Sequence, residues 1–210
     1  MSNRHQQILR RIVFSGIVLA FAGAYAPMSQ AGELSKDQMV KALQKKKGKT
    51  RSLTLSDDQK GANEVQKAVR SLGSRLSREI VVEERKQIAK TVSDHKLPAI
   101  DLTIPFEYDS AAISQKAVPV LVTLGQVLKD ASLQGSTFLV GGHTDSRGSN
   151  DYNIKLSQAR AQSVRTFLIE TFGINGGKLI AVGFGEIQLK TPHDPEAGEN
   201  RRVQLVNVTK

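Results

Sequence analysis

The chain has 210 residues and no cysteine, which excludes a disulfide framework, a thiolate metal site and lipid attachment at an N-terminal cysteine. Its length suits one domain with extra segments, or two small domains. The formal charge of +10 would fit a nucleic-acid binder, but residues 32–98 hold sixteen Lys/Arg against nine Asp/Glu while residues 99–210 hold eleven of each, so the basic excess lies ahead of the segment with folding signals.

Met1 to Arg11 is polar and positive, and an apolar stretch from Ile12 to Ala26 comes next, broken by Ser15, Gly16 and Gly23. After Pro27, Ser29-Gln30-Ala31 puts small residues at the two positions that signal peptidase reads. Residues 1–31 therefore read as a secretory signal peptide cleaved after Ala31. The apolar stretch falls short of the ~20 residues a spanning helix needs, which ranks a retained membrane tether second. Export leaves little nucleic acid to meet, and the basic run Lys45-Lys46-Lys47-Gly48-Lys49-Thr50-Arg51 has no aromatic residue for stacking on bases, so no nucleic-acid partner is expected. That run reads first as a solvated linker. The sharper alternative is attraction to an anionic membrane surface or wall polymer, or to an envelope protein.

Residues 32–98 form a basic, partly helical linker region. Leu34 to Leu43 and Asp57 to Leu72 have helix-favouring composition, and Glu83 to Val92 places Ile88 and Val92 four apart. Apolar side chains are sparse, so burial does not offset the entropy of ordering the whole segment. Its last helix is a candidate to dock on the domain beginning at residue 99.

From residue 99 the texture changes. Ile100 to Ile104 alternates apolar with polar as a half-buried strand does, and Pro105 marks an edge or an end. Val118, Leu121, Val122, Leu124, Val127 and Leu128 recur at helical spacing, which predicts a helix over residues 115–131 with Pro119 in its first turn. Thr137 to Gly142 is a short apolar strand, hence central. A second helix starts at Ser149 or Asn150, stops at Gly173, and is expected to bury Tyr152, Leu156, Ala159, Ser163, Val164 and Phe167. Lys178 to Gly183 and Arg202 to Val208 are two further strands. The order β-α-β-α-β-β predicts an α+β two-layer sandwich over residues 99–210, with two helices on one face of a small mixed sheet.

Catalysis is the poorer reading of this domain. His143, Asp145 and His193 match no metal-ligand spacing, no serine sits in a nucleophile elbow, and no glycine-rich phosphate loop comes after a strand. No cofactor or metal is expected. Binding offers more, because Asp145 lies in the loop after the central strand and Arg160 on the helix beyond it. An acidic loop residue and a basic helix residue on one scaffold can grip the ammonium and carboxylate of a zwitterion, with Arg giving two parallel hydrogen bonds to a carboxylate. Thr144, Asn153 and Ser157 could complete such a site. The competing reading, equally weighted on spacing alone, has Asp145 capping its own loop and Arg160 pairing with it or with Asp151 as a structural bridge.

The spacing Thr144-Asp145, Gly148, Asn153, Leu156-Ser157 and Arg160-Ala161 resembles the signature of the OmpA-like C-terminal domain family. Phe106 to Ala111, Gly183-Phe184-Gly185-Glu186 and Asn200-Arg201-Arg202-Val203 fall in the same order, so the resemblance spans roughly residues 99–208. Glu107, Tyr108 and Leu189 depart from the usual pattern, away from the Asp/Arg pair. The resemblance implies non-covalent, non-catalytic binding of peptidoglycan through the diaminopimelate of its stem peptide. Asp145 would take the ammonium and Arg160 the carboxylate, with Thr144, Asn153, Asp109 and Arg201 lining the pocket. It further implies a periplasmic protein associated with the wall or outer membrane, which tethers itself or a partner. Residues before 99 lack a series of alternating strands, so the chain does not read as a barrel porin. The alternative is an inner-membrane-anchored stator-like or scaffold protein using the same wall-binding domain.

Overall fold

Alternation of side chains along four short strands sets the architecture, because each strand carries apolar residues on both of its faces and so needs cover on both. The computed structural model describes residues 34–44, 60, 63–68, 82–107 and 109–209. The signal peptide expected at residues 1–31, the basic run at 45–51 and Tyr108 lie outside the described residues. Glu33–Lys210 is one unit, and the other unit, Met1–Gly32, falls wholly outside them.

The strands are β1 (Ala99–Leu102), β2 (Phe138–His143), β3 (Leu179–Gly185) and β4 (Val203–Asn207), in the sheet order β1-β4-β2-β3. β4 runs antiparallel to both neighbours, pairing Leu205 with Ile100 on one side and with Val140 on the other. β2 and β3 run parallel, with Val140 opposite Ala181. The mixed sheet and the central place of β2 are as the sequence predicts.

On one face Ile100, Leu102, Phe138, Val140, Leu179, Val203 and Leu205 meet three helices. Two are the predicted ones, α3 (Val118–Leu128) and α4 (Asn150–Phe172). The third is α1 (Lys36–Leu43), whose Met39, Val40 and Leu43 enter the same core. Ser35 caps α1 through a reciprocal capping box with Gln38, and Asn207 Nδ2 donates to the Leu43 carbonyl at 2.9 Å. On the opposite face Leu139, Val182, Phe184, Val206 and Val208 pack against Ile88, Ala89 and Val92 of α2 (Val82–Asp94) and against Val65 of the helical stretch 63–68. The expected two layers account for α3 and α4, and α2 adds a third layer behind the sheet.

One detail of α4 differs from expectation. Its buried residues are Asn153, Ser157, Ala161, Val164 and Leu168, whereas Tyr152 is 41 % exposed and Ala159 is on the surface. The stripe is rotated because the helix meets the glycine end of the sheet. A Cβ on Gly142 would overlap the Ser157 carbonyl oxygen, and one on Gly183 would overlap the Gln158 backbone nitrogen. The strand amides beside this close approach are satisfied by side chains of α4. Ser157 Oγ accepts from Gly185 N at 2.9 Å, and Gln158 Oε1 from Gly183 N at 2.8 Å.

Candidate functional site

Three pieces of chain meet at the C-terminal end of β2: the loop from Thr144, the first turns of α4, and the segment leading into β4. Ser149 caps α4 by accepting from Tyr152 N at 3.2 Å, which fixes the helix start beside the loop. The Thr144 amide donates to Gly185 O at 3.0 Å and the Ser146 amide to Pro195 O at 3.1 Å, so β3 and the 186–200 loop clamp the loop from both sides. Asn200 pins that long loop: fully buried, it accepts from Thr191 N at 2.9 Å and donates to the carbonyls of Asp194 and Pro195 at 3.0 Å.

Asp145 is held inside this arrangement, 7 % exposed. Its Oδ2 accepts from Arg201 Nη1 at 2.7 Å and its Oδ1 from the Arg147 amide at 3.3 Å. Asn153, buried on the first turn of α4, uses one amide nitrogen twice, donating to the Asp145 carbonyl at 3.3 Å and to Glu186 Oε2 at 2.9 Å. Thr144 is buried as well, and its hydroxyl has no hydrogen-bond partner among the described residues.

Arg160 projects from α4 onto the ring of Phe106, with its guanidinium carbon 4.9 Å from the ring centroid, and its Nε donates to Ser110 O at 3.0 Å. Burial lowers its pKa from the ordinary arginine value, while Tyr152, Asp145 and Asp109 act to raise it and Arg201 to lower it. Arg160 thus shares one electrostatic neighbourhood with Arg201, Asp145 and Asp109. Asp109 takes a left-handed backbone conformation at φ 49 and accepts from the Tyr152 hydroxyl. Arg160 and Arg201 both line a cavity of about 250 Å³ whose walls include Pro105, Phe106, Gly142 and Gly198. Asp145 is not among the lining residues and reaches the cavity through its bond to Arg201. Two planar cations on one cavity, one of them bonded to a fixed carboxylate, can hold a group with a carboxylate and an ammonium close together.

The six residues singled out in the sequence therefore divide. Asp145, Asn153 and Arg201 are joined by direct hydrogen bonds, and Arg160 and Asp109 stand in the same electrostatic surroundings. Thr144, next to Asp145 in the chain, is buried and makes no side-chain bond to the others among the described residues. Asp145 finds its ion partner in Arg201 and its loop contact in the Arg147 amide, and among the described residues Arg160 makes no ion pair. Phe106 and Ser110 as partners of Arg160, and Glu186 as the anchor of Asn153, are not foreseen from the sequence. Only the motif fragments that contain them give any signal.

His143 is structural. It stacks on Phe184 with centroids 5.2 Å apart and planes 20° apart, and burial together with the Arg202 charge holds its pKa down to about 3. Among the described residues no three His, Cys, Asp or Glu side chains gather as metal ligands would, and no helix is long and apolar enough to cross a membrane.

A family profile described as the OmpA family matches residues 105–202, which brackets the site. The outer membrane porin F of Pseudomonas aeruginosa is 34% identical over 107 residues, which are 50% of this chain and 30% of the porin. The peptidoglycan-associated lipoprotein of the same organism is 33% identical over 117 residues, 55% of this chain and 67% of the lipoprotein. Among solved structures, the peptidoglycan-associated lipoprotein from Burkholderia pseudomallei is 28% identical, covers 51% of this chain and 88% of its own, and has a TM-score of 0.42. The chain thus spans under a third of the porin's length and about two thirds of the Pseudomonas lipoprotein's.

Proposed function

The chain belongs to the OmpA family, and on that basis we propose that it binds peptidoglycan without catalysis, through the diaminopimelate of the stem peptide, and so tethers itself or a partner to the cell wall in the periplasm. The observation that carries this reading is the placement of one buried carboxylate, Asp145, beside two arginines that line a common cavity. The free end of diaminopimelate in a stem peptide carries an ammonium and a carboxylate on one carbon. Asp145 takes the ammonium and Arg160 the carboxylate, with Arg201, Asn153, Asp109 and Thr144 as the surrounding shell. A relative named for its association with peptidoglycan supports the wall as the partner.

The groups gathered here suit binding. Asp145 is bonded to Arg201, Asp109 to Tyr152 and Glu186 to Asn153, while His143 is stacked in the core. Charged contacts that are partly desolvated lose ~2 to 5 kcal/mol when one member is truncated, which is roughly thirtyfold to several thousandfold in affinity.

The test is co-sedimentation with purified sacculi. The wild-type chain should pellet with diaminopimelate-type sacculi, while Asp145→Ala and Arg160→Ala should stay in the supernatant with unchanged circular dichroism. Sacculi carrying lysine at the same position lack the distal carboxylate and should retain much less protein. Equal pelleting of both variants and the parent would refute the site.

A further inference from the structure

Resting on that reading of the ligand, we infer that Arg201 sets the specificity of the clamp, by competing with the ligand's ammonium for Asp145 and giving way only to a ligand that brings its own carboxylate. The Arg201 Nη1 to Asp145 Oδ2 bond, at 2.7 Å, is of the charge-assisted kind, so an ammonium approaching the same oxygen has to share it with a guanidinium of like charge or displace it. The other oxygen is engaged by the Arg147 amide. The two partners are unequally held. The Asp145 side chain is 10% exposed and fixed by its loop, whereas that of Arg201 is 49% exposed and stands at the end of the long loop, with its guanidinium over Gly198.

The arginine is therefore the member that moves. Its backbone is tied down by its amide bond to Gly198 O at 3.0 Å, so the guanidinium swings about a fixed base. Arg201 and Arg160 line the same cavity, so a displaced Arg201 remains within that cavity's reach. A ligand with a carboxylate next to its ammonium then offers Arg201 a new acceptor, and one ion pair is exchanged for two. A ligand with an ammonium alone exchanges one ion pair for one and leaves Arg201 without a carboxylate, which is discrimination by an unfavourable alternative. Because the Arg201 side chain is half exposed, the penalty is modest, worth about three- to tenfold in affinity.

The experiment is an NMR titration of the chain with meso-diaminopimelate and, separately, with the diamine cadaverine, for the wild type, Arg201→Gln, Arg201→Lys and Lys155→Gln. Arg201 is outside the core, and thermal unfolding verifies that each variant is folded. Arg201→Gln should bind cadaverine about three- to tenfold more tightly than the wild type and diaminopimelate no more tightly, so that selectivity shrinks. Arg201→Lys, which keeps a competing cation, should stay near the wild type. Lys155→Gln removes an equal charge from the exposed side of α4 and should change cadaverine binding by less than about twofold, since an exposed charge with no bond to the site is screened by solvent and salt. Cadaverine affinity that is unchanged or lower in Arg201→Gln, or that rises equally in Lys155→Gln, would overturn the role of Arg201 alone. A wild type that binds neither diaminopimelate nor sacculi would overturn the ligand on which that role rests.

Discussion

Gly142 shows how a single missing side chain fixes the site. It allows the β2 backbone to approach the Ser157 carbonyl on α4, which places Asn153, one turn earlier, over the Asp145 loop. Gly142→Ala should lower unfolding free energy by about 1 to 3 kcal/mol through overpacking against backbone, read as a shift in the urea midpoint. An undetectable shift would mean that the helix can retreat freely. His143, the next residue, makes a prediction about pH. Its folded-state pKa of about 3 lies below the unfolded value near 6.5. The stability it contributes is therefore complete above pH ~6.5 and is lost as pH falls towards 3, at up to ~1.4 kcal/mol per pH unit. His143→Phe preserves the stacking on Phe184 and should flatten that part of the profile. Parallel urea midpoints for the two proteins from pH 7 to pH 4 would show that His143 is not the titrating group.

The element that most needs explanation is β3, an edge strand, since such strands invite pairing with another chain. Here side chains replace the missing neighbour. Gln158 donates to Ala181 O at 3.1 Å while accepting from Gly183 N, which copies one rung of a ladder. Arg165 Nε donates to Leu179 O at 2.8 Å, and Arg85 of α2 donates to Gly183 O. Gln158→Ala uncovers one donor and one acceptor, and should cost about 1 to 3 kcal/mol and raise the tendency of the chain to self-associate. Size-exclusion chromatography across a concentration series measures the second effect. A monomer at all concentrations with undiminished stability would rule out the edge-covering role. The same two bonds fix the rotation of α4 two residues before Arg160, so edge protection and aim of the site share side chains.

Across the unit from Glu33 to Lys210, α1 and α2 hold opposite faces of the sheet although both precede β1 in the chain. Met39, Val40 and Leu43 complete the main core, and Ile88, Ala89 and Val92 complete the other. Leu43→Ala, at a fully buried position, should cost about 2 to 5 kcal/mol, whereas Leu34→Ala, 38% exposed, should stay within about 0.5 kcal/mol. Urea unfolding of both variants tests this, and equal small effects would mean that α1 is peripheral. Composition underrates these helices because it weighs the segment by itself. Its few apolar residues are concentrated on the faces that meet the sheet, so a sparse segment can still be firmly docked.

Short-range features of this protein are legible in its sequence alone. Alternation marks β1, a short apolar run marks β2, 3.6-residue periodicity marks α3 and α4, Ser149 and Gly173 set the ends of α4, and the spacing from Thr144 to Ala161 singles out Asp145 and Arg160. Period and caps are local properties, so they survive without knowledge of what lies across the core. Features that join residues dozens of positions apart required the packed chain. Packing turns α4 so that Asn153 and Ser157, not Tyr152 and Ala159, face the sheet, because glycines on β2 and β3 bring backbones together there. It gives α2 the second face. It also pairs Asp145 with Arg201, 56 positions later, across a loop pinned by Asn200. A charge pattern shows which residues could pair, and packing of the intervening chain selects the pair that forms.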